Sequence, residues 1–510
     1  MENLASFFGI SHLVSWIVLT PLIGLVIVGF LPARAGERIV EIIRWATLGI
    51  TLIALGLTAG LWANFDYTAG GPQFVDRVKG ILPFGAQYAV GVDGISLPLV
   101  LLTTFIIPLC VLVSWRIDNP KAFMMLLLLV EVAVTGAFTA LDAFLFLLFW
   151  EIAMIPMYFM IAFWGGPKRV HAAIKFLLFN VAGGLLLGLG IAELHSAGGH
   201  TYDLVALMQV EYAPKVQFWI FLALFLGFAI KVPMIPVHGW IADAHGEAPA
   251  VGHVILSGLL LKMGAYGLIR FCLSIFPEAS AAFAPLIQWL SVLAILYGGV
   301  VAMAQSAIKR FIAYSSVAHM GFITLGIFGL NQESIQGAVF QMVSHGMTLG
   351  TLFLAAGMLY DRTHNPMMNA YGGLQQVMPR FAALLTIFVM ASIGLPGTGS
   401  FIGEFIILVG TSYHSYLLVL LALIGIVIGA VYMLWMFQRM VLGPVTPYVS
   451  TLPDLTRREM VAVIPMAVVV LAIGLYPNIL LSPIHTSVAS LVQNIAQAQP
   501  LRILAVFTAP

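Results

Sequence analysis

Eight ionisable side chains stand inside otherwise apolar runs: Glu131, Glu151, Lys231, His253, Lys262, His319, His345 and Glu404. A charge at the centre of a lipid bilayer costs at least ~2.5–3.5 kcal/mol, so each of these residues needs a partner or a task. Burial disfavours the charged form of a carboxylate or an ammonium and so brings such groups towards titrating near neutral pH. A row of them, joined by water, passes protons through an apolar bundle. That is the chemistry their types and placing suggest.

The individual settings sharpen it. Glu151 lies in LDAFLFLLFWEIAMIPMYFMIAFWG, where nothing polar is near in sequence. Lys231 is its natural partner, opposite in sign and equally deep. A static buried ion pair is the rival reading, but such pairs stabilise weakly and are easily replaced by apolar residues. Lys262, in SGLLLKMGAYGLIRF, has no acid within a helical turn; its rival reading is a lysine stretching to the interface. His319 (KRFIAYSSVAHMGF) and His345 (QMVSHGMTLGTLF) stand beside serine and glycine, which let helices approach closely and hold water. Glu404 follows a glycine-rich stretch, SIGLPGTGSFIGEF. Glu131 and His253 are auxiliary candidates, with a helix-packing hydrogen bond or a backbone carbonyl as the alternative for each.

Metal and redox chemistry are not expected. His238, His245 and His253 flank one loop with Asp243 and Glu247, but the spacing matches no usual zinc pattern. Cys110 and Cys272 lie in apolar runs, as core residues do. With no haem motif and no GxGxxG turn, no cofactor is expected in this chain.

The elements that hold these residues follow from composition. The chain is 61% hydrophobic and 8% charged, where soluble proteins carry about 25% charged residues. It is an all-α integral membrane protein, in one polytopic domain over 1–510. Its net charge of +1 gives no footprint for nucleic acid. Apolar runs of about twenty residues predict fourteen spanning helices, from 12–31, read as a retained helix, to 459–482. The longest polar segment is 64–91, and the tail after 482 is mildly amphipathic. Two runs are interrupted: 216–238 by Lys231, Pro233 and Pro236, and 381–407 by Gly394, Pro396, Gly397 and Gly399. Two broken helices five apart predict inverted five-helix repeats over 122–273 and 284–441, with three helices before them (1–121) and one helix and a tail after (459–510). Of 22 Lys and Arg, fifteen fall in one set of alternate loops and flanks, five in the other, and Lys231 and Lys262 remain. That bias predicts both termini on the outer face of the membrane.

The quoted segments, with GFAIKVPMIPVHGWIADAHGEAP and VDGISLPLVLLTTFIIPLCVLVSW, resemble the antiporter-like, proton-pumping subunits of respiratory complex I over about residues 90–480. The resemblance implies fourteen helices, two inverted repeats and a proton path built of two half-channels. It implies that Glu151 and Lys231 are the coupled pair of the first half-channel and Lys262 the central relay. His319 and His345 would connect that relay to Glu404, the terminal acid, where other branches of the group carry lysine. It further implies partners in the membrane arm, including sister antiporter-like subunits, in a bacterial inner membrane. NADH, FMN, iron–sulfur clusters and quinone would be held by other subunits, and redox energy released there would drive the protons. Subunits of multi-subunit Na⁺/H⁺ antiporters share the Glu–Lys pair. Ferredoxin-driven complexes and membrane hydrogenases share the arm.

Overall fold

The computed structural model describes residues 12–32 and 36–497. Arg34, Arg502 and both chain ends, used in the charge count, lie outside the described residues. The first two helices are α1 (Leu13–Phe30) and α2 (Glu37–Ala63). The polar segment then folds as an antiparallel hairpin, β1 (Gln73–Val78) with β2 (Tyr88–Val92). Next come α3 (Ser96–Arg116), α4 (Pro120–Thr139), α5 (Ala143–Trp164), α6 (Arg169–Ala197) and α7 (Pro214–Lys231). After the short α8 (Ile241–Glu247) follow α9 (Ala250–Leu273), α10 (Pro277–Met303), α11 (Ile308–Ile327) and α12 (Gln332–Thr363). The chain continues through α13 (Pro379–Ser392), α14 (Gly399–Ser412), α15 (Tyr416–Leu442), α16 (Arg457–Leu475) and α17 (Asn478–Gln497).

Thirteen described helices are long and apolar enough to cross a membrane. α11, which carries Lys309, Arg310, Ser315, Ser316 and His319, is less apolar, and α13 and α14 are each too short alone. Every one of the fourteen expected runs meets a helix; the twelfth is split into α13 and α14 at its expected break, and the last is divided as well. Pro477 has no N–H to donate backwards, so α16 stops at Leu475 and α17 sets off in a new direction. α17 lies across the ends of other helices. Thr486 donates to the carbonyl of Tyr67 (2.7 Å), Gly94 N–H to the Ser487 hydroxyl (2.9 Å) and Gln336 to the carbonyl of Leu481 (3.2 Å).

The two ends of the bundle are tied separately. At the basic end Asp243 accepts from both Lys175 (2.6 Å) and Arg310 (2.7 Å), Arg362 meets Glu459 (2.8 Å), and Lys121 caps the last carbonyls of α1. At the hairpin end Arg77 meets Asp203, and Arg270 on α9 meets Asp93 just before α3. Between them the core is graded. The most apolar stretch of α12 is 100% buried and that of α9 94%, against 28% for α15. The helices bearing His345 and Lys262 are thus the innermost, and rim helices such as α15 face lipid or neighbours.

Both proline- and glycine-rich breaks are present, and each satisfies its freed backbone groups locally. α7 ends at Lys231 because neither Pro233 nor Pro236 can continue its hydrogen bonding. Met234 N–H returns to the carbonyl of Ala229 (2.9 Å), and the Trp240 indole caps that of Ile230 (2.8 Å). In the second break Gly394 and Gly397 take φ of +73° and +94°, a region open to glycine, before α14 begins.

Asp93 offers a test of the hairpin end. Burial alone would raise its carboxyl pKa. The Arg270 guanidinium and the N–H groups of Ser96 and Ile95 outweigh that and hold it below the usual carboxylate range. A depressed native pKa gives stability that is present above the unfolded value, about 3.9, and is lost as pH falls below that value and through the lower folded one. Arg270→Leu, which strands a buried carboxylate, is expected to cost roughly 3–5 kcal/mol. The double variant with Asp93→Asn should recover part of that loss. Thermal melts of the purified assembly at pH 7 check both.

Candidate functional site

The middle of the bundle holds a polar row on α9, α11, α12 and α14, in two hydrogen-bonded groups that face each other through His345 and His319. α9 leaves the regular α-helical pattern twice, over Leu256–Leu260 and Leu268–Leu273, where it widens to π-helix. Such widened turns recur at functional sites because they rearrange backbone carbonyls. Lys262 sits between them, fully buried. Its ammonium donates to the carbonyl of Ser257, inside the first widened turn, and meets Nδ1 of His345 at 2.5 Å. The other nitrogen of His345, Nε2, meets the Ser316 hydroxyl at 3.0 Å, and Ser316 meets Ser257 at 3.2 Å. The His345 and His319 rings stand 5.7 Å apart between centroids. His319 Nδ1 meets Glu404 Oε1 at 2.8 Å, and Gln341 donates to the same oxygen at 3.0 Å.

The helices bring these groups together for local reasons. Ser316 and His319 are three residues apart on α11, and Gln341 and His345 four apart on α12, so each pair shares a face. Glu404 is in the second turn of α14, past the break that contains Pro396. A Cβ at Gly394 would lie 3.5 Å from the Glu404 carboxylate, so the glycine turn is its wall. α12 meets α14 at Gly403, where a Cβ would stand 2.9 Å from the Gln341 Cβ and 3.0 Å from its Cα.

The first half of the row is arranged differently from expectation. Lys231, 1% exposed, has its ammonium 3.6 Å from the centre of the Trp150 ring and 3.5 Å from the Trp150 carbonyl. Among the described residues no ion pair joins it to Glu151 within 4.0 Å. Glu151 has its carboxylate against the buried Gly184 on α6 and is partly exposed. A ring face attracts a cation without a counter-ion in direct contact. The helices that carry the two lysines touch. A Cβ at Gly264 would lie 3.0 Å from the Val232 nitrogen, so the end of α7 rests against α9 beside Lys262.

Two candidates stay outside the row. Glu131 is fully buried on α4, and neither carboxylate oxygen has a hydrogen-bond partner among the described residues. The packing hydrogen bond considered for it is therefore not made. His253 is fully buried on α9 and its ring nitrogens have no hydrogen-bond partner among the described residues; the ring stacks on Phe353 with centroids 5.3 Å apart. Four contributors were not foreseen: Trp150, Ser257, Ser316 and Gln341. Gln341 carried a signal, as an amide one turn before His345 inside an apolar run, and so did Ser316, one of the serines beside His319.

Chemically, each imidazole here can take a proton on one nitrogen and release one from the other. The fold and the row define a polytopic membrane protein with a titratable chain through its centre. Residues 140–429 match the family described as NADH:quinone oxidoreductase/Mrp antiporter, TM. NADH-quinone oxidoreductase subunit M of Rhodobacter capsulatus is 40% identical, over 95% of this chain and 97% of its own. NADH-ubiquinone oxidoreductase chain 4 of Arabidopsis thaliana is 41% identical, over 94% of this chain and 97% of its own. The chain belongs to the NADH:quinone oxidoreductase/Mrp antiporter transmembrane family. A chain of the respiratory complex I from Thermus thermophilus superposes with a TM-score of 0.85 at 30% identity, over 94% of this chain and 99% of that one. A chain of the Mrp complex from Dietzia sp. shares the fold at 21% identity, with a TM-score of 0.79 over 95% of this chain and 99% of that one.

Gly403→Ala should force α12 and α14 apart at Gln341. The expected cost is roughly 1–3 kcal/mol of overpacking, read as a lower melting temperature of the purified assembly, with Gly403→Val more severe. Unchanged melting for both would show that the contact is looser than these distances imply.

Proposed function

We propose that this chain is a membrane-arm, antiporter-like subunit of complex I, an NADH:quinone oxidoreductase, and that it carries protons along the buried row. The observation that supports the transport role most directly is the run of hydrogen bonds from Lys262 through His345 and Ser316, and from His319 to Glu404, with one ring-to-ring gap of 5.7 Å between centroids. A structural bundle gains little from such a row, because apolar residues of similar size would pack as well without the desolvation cost. NADH, flavin, iron–sulfur clusters and quinone are assigned to other subunits, so electron transfer reaches this chain only as a change in shape or charge. Glu151, partly exposed on the flank formed with α6, is where a neighbouring subunit would act. Exposed Leu148, Ile155, Leu185 and Leu189 around it form an apolar flank that a sister antiporter-like subunit would cover.

In this reading cover or exposure of Glu151 changes the charge state of Lys231. The altered charge beside α9 changes that of Lys262, and a proton passes through the histidines to Glu404. Each step conserves charge, since an imidazole releases from one nitrogen what it accepts on the other. The basic end is assigned to the cytoplasm of a bacterial inner membrane and the hairpin end to its outer side, by the excess of Lys and Arg. The repeats 122–273 and 284–441 would then be the two half-channels, each holding one break. The 40% identity to subunit M, against 21% for the Mrp chain, favours complex I over a Na⁺/H⁺ antiporter.

Glu404→Gln and Lys262→Met in the assembled complex are expected to lower NADH-driven proton transport by about tenfold or more, at normal assembly. Acidification of inverted membrane vesicles, followed with a pH-sensitive dye, measures it. Full transport in both variants would remove the relay role.

A further inference from the structure

The helix packed beside Lys231, α6, buries one polar side chain that the relay does not use. Of the ten residues that α6 buries, only Asn180 is polar. It is 2% exposed. Its amide nitrogen donates to the Phe176 carbonyl, one turn back, at 2.9 Å. That bond commits the nitrogen. The oxygen, Oδ1, has no hydrogen-bond partner among the described residues. Buried acceptors are nearly always bonded, so an open one in the middle of an apolar bundle calls for a reason. A leucine or valine would fill the same space without the cost.

Contacts on either side of Asn180 fix its level in the bundle. One turn towards the hairpin end, a Cβ at Gly183 would lie 3.1 Å from the Gly227 carbonyl oxygen and 3.5 Å from the Ile230 Cβ, so α6 and α7 touch there. One turn towards the basic end, Phe176 meets Trp240 edge-on at 5.5 Å between centroids, and the Trp240 indole caps the Ile230 carbonyl at 2.8 Å. Asn180 therefore lies level with the last turn of α7, which ends at Lys231. The Glu151 carboxylate is one turn further along α6, in the space that a side chain at residue 184 would take. Residues 180 and 184 share a helix face, so amide and acid are neighbours on it.

The lysine has the matching need. An ammonium carries three N–H donors. Against Trp150, that of Lys231 has a ring face and one long hydrogen bond, 3.5 Å to the Trp150 carbonyl. An open acceptor and an under-served donor, both buried and at one level, fit a lysine with two resting places, of which the structure holds one.

We propose that Asn180 is the positioning residue of Lys231: its Oδ1 receives the ammonium when the lysine leaves the Trp150 ring, and holds it beside the Glu151 carboxylate. Without that acceptor the charge would pass from ring to carboxylate through apolar surroundings, where an unbonded ammonium is strongly disfavoured. With it, Lys231 has a ring-bound and an amide-bound position, and the amide-bound one precedes ion pairing with Glu151. Asn180 takes no proton itself. It decides where the lysine charge rests, and so how far that charge stands from α9.

This inference rests on the coupling of Glu151, Lys231 and Lys262 proposed above, and the experiment separates the two. Asn180→Val and Asn180→Thr have the same shape and differ by one hydroxyl. A threonine hydroxyl can donate to the Phe176 carbonyl, as the amide does, and still accept from the ammonium; valine can do neither. In the assembled complex Asn180→Val is expected to lower NADH-driven proton transport about tenfold, the order of one hydrogen bond to a charged group, at an unchanged melting temperature. Asn180→Thr should keep most of the transport. Equal transport in the two variants, normal or lowered, alongside a loss in Lys231→Met overturns the role of Asn180 and leaves the coupling standing. Normal transport in Lys231→Met overturns the coupling instead. A second readout needs no variant. Electron cryo-microscopy maps of the unmodified complex, at rest and during turnover, should place the Lys231 ammonium within hydrogen-bond distance of Asn180 Oδ1 in one state. A lysine that rests on the Trp150 ring in every state overturns the role as well.

Discussion

A lysine ammonium can stay at the centre of an apolar bundle only if hydrogen bonds replace the water it has left. At Lys262 those bonds come from one carbonyl and one imidazole, and most of the surrounding architecture serves to place them. The π-helical widening of α9 brings the Ser257 carbonyl to the ammonium. Glycines 258 and 346 let α9 and α12 touch, so that His345 reaches across. His345 must in turn be held by its second nitrogen, and Ser316 on α11 holds it. Two unit charges 4 Å apart interact by about 4 kcal/mol at an effective dielectric near 20. A change of protonation at any one member is therefore felt by the next. The row is a chain of mutual dependence, and this is the property a proton path needs.

The membrane break before Glu404 answers a second demand of the same kind. An uninterrupted helix would carry that carboxylate on a rigid rod among apolar neighbours. The break at Gly394–Gly397 ends one rod and starts another, so the acid comes into the second turn of α14 with a glycine wall beside it. There it receives His319 and Gln341. Backbone groups released by the break are taken up locally, as by the Leu395 N–H on the carbonyl of Met390 at 3.0 Å, so the opening adds no unsatisfied group at that point.

Much of this was legible in the sequence, because an ionisable residue in an apolar run stands out against its neighbours. Lys231, Lys262, His319, His345 and Glu404 announce themselves by cost, and prolines and glycines announce the breaks. What could not be read is contact across helices. Serine and tryptophan are ordinary in such runs, so Ser316 and Trp150 carry no mark of what they touch. The opposite charges of Glu151 and Lys231 pointed to a direct pair, yet the ammonium rests on the Trp150 ring and the carboxylate lies against Gly184 of α6. Their rotamers depend on packing between α5, α6 and α7, which no local pattern encodes. The division at Pro477 was written in the sequence, but the apolar residues on both sides of it read as one run.

The two halves of the row differ in kind. On the Glu404 side every member is hydrogen-bonded to another and enclosed. On the Glu151 side the lysine has only an aromatic ring and a carbonyl, and the acid is partly open on the flank of the chain. An enclosed, saturated half has little freedom to respond to an outside event, whereas an acid at the edge responds to whatever covers it. Desolvating Glu151 makes its charge costly unless Lys231 turns to meet it, and a Lys231 that turns leaves the face of Trp150 beside α9. Coupling in this chain would therefore enter through the open half and be spent in the closed one. On the proposed reading, the direction of influence would be set by which half is already satisfied.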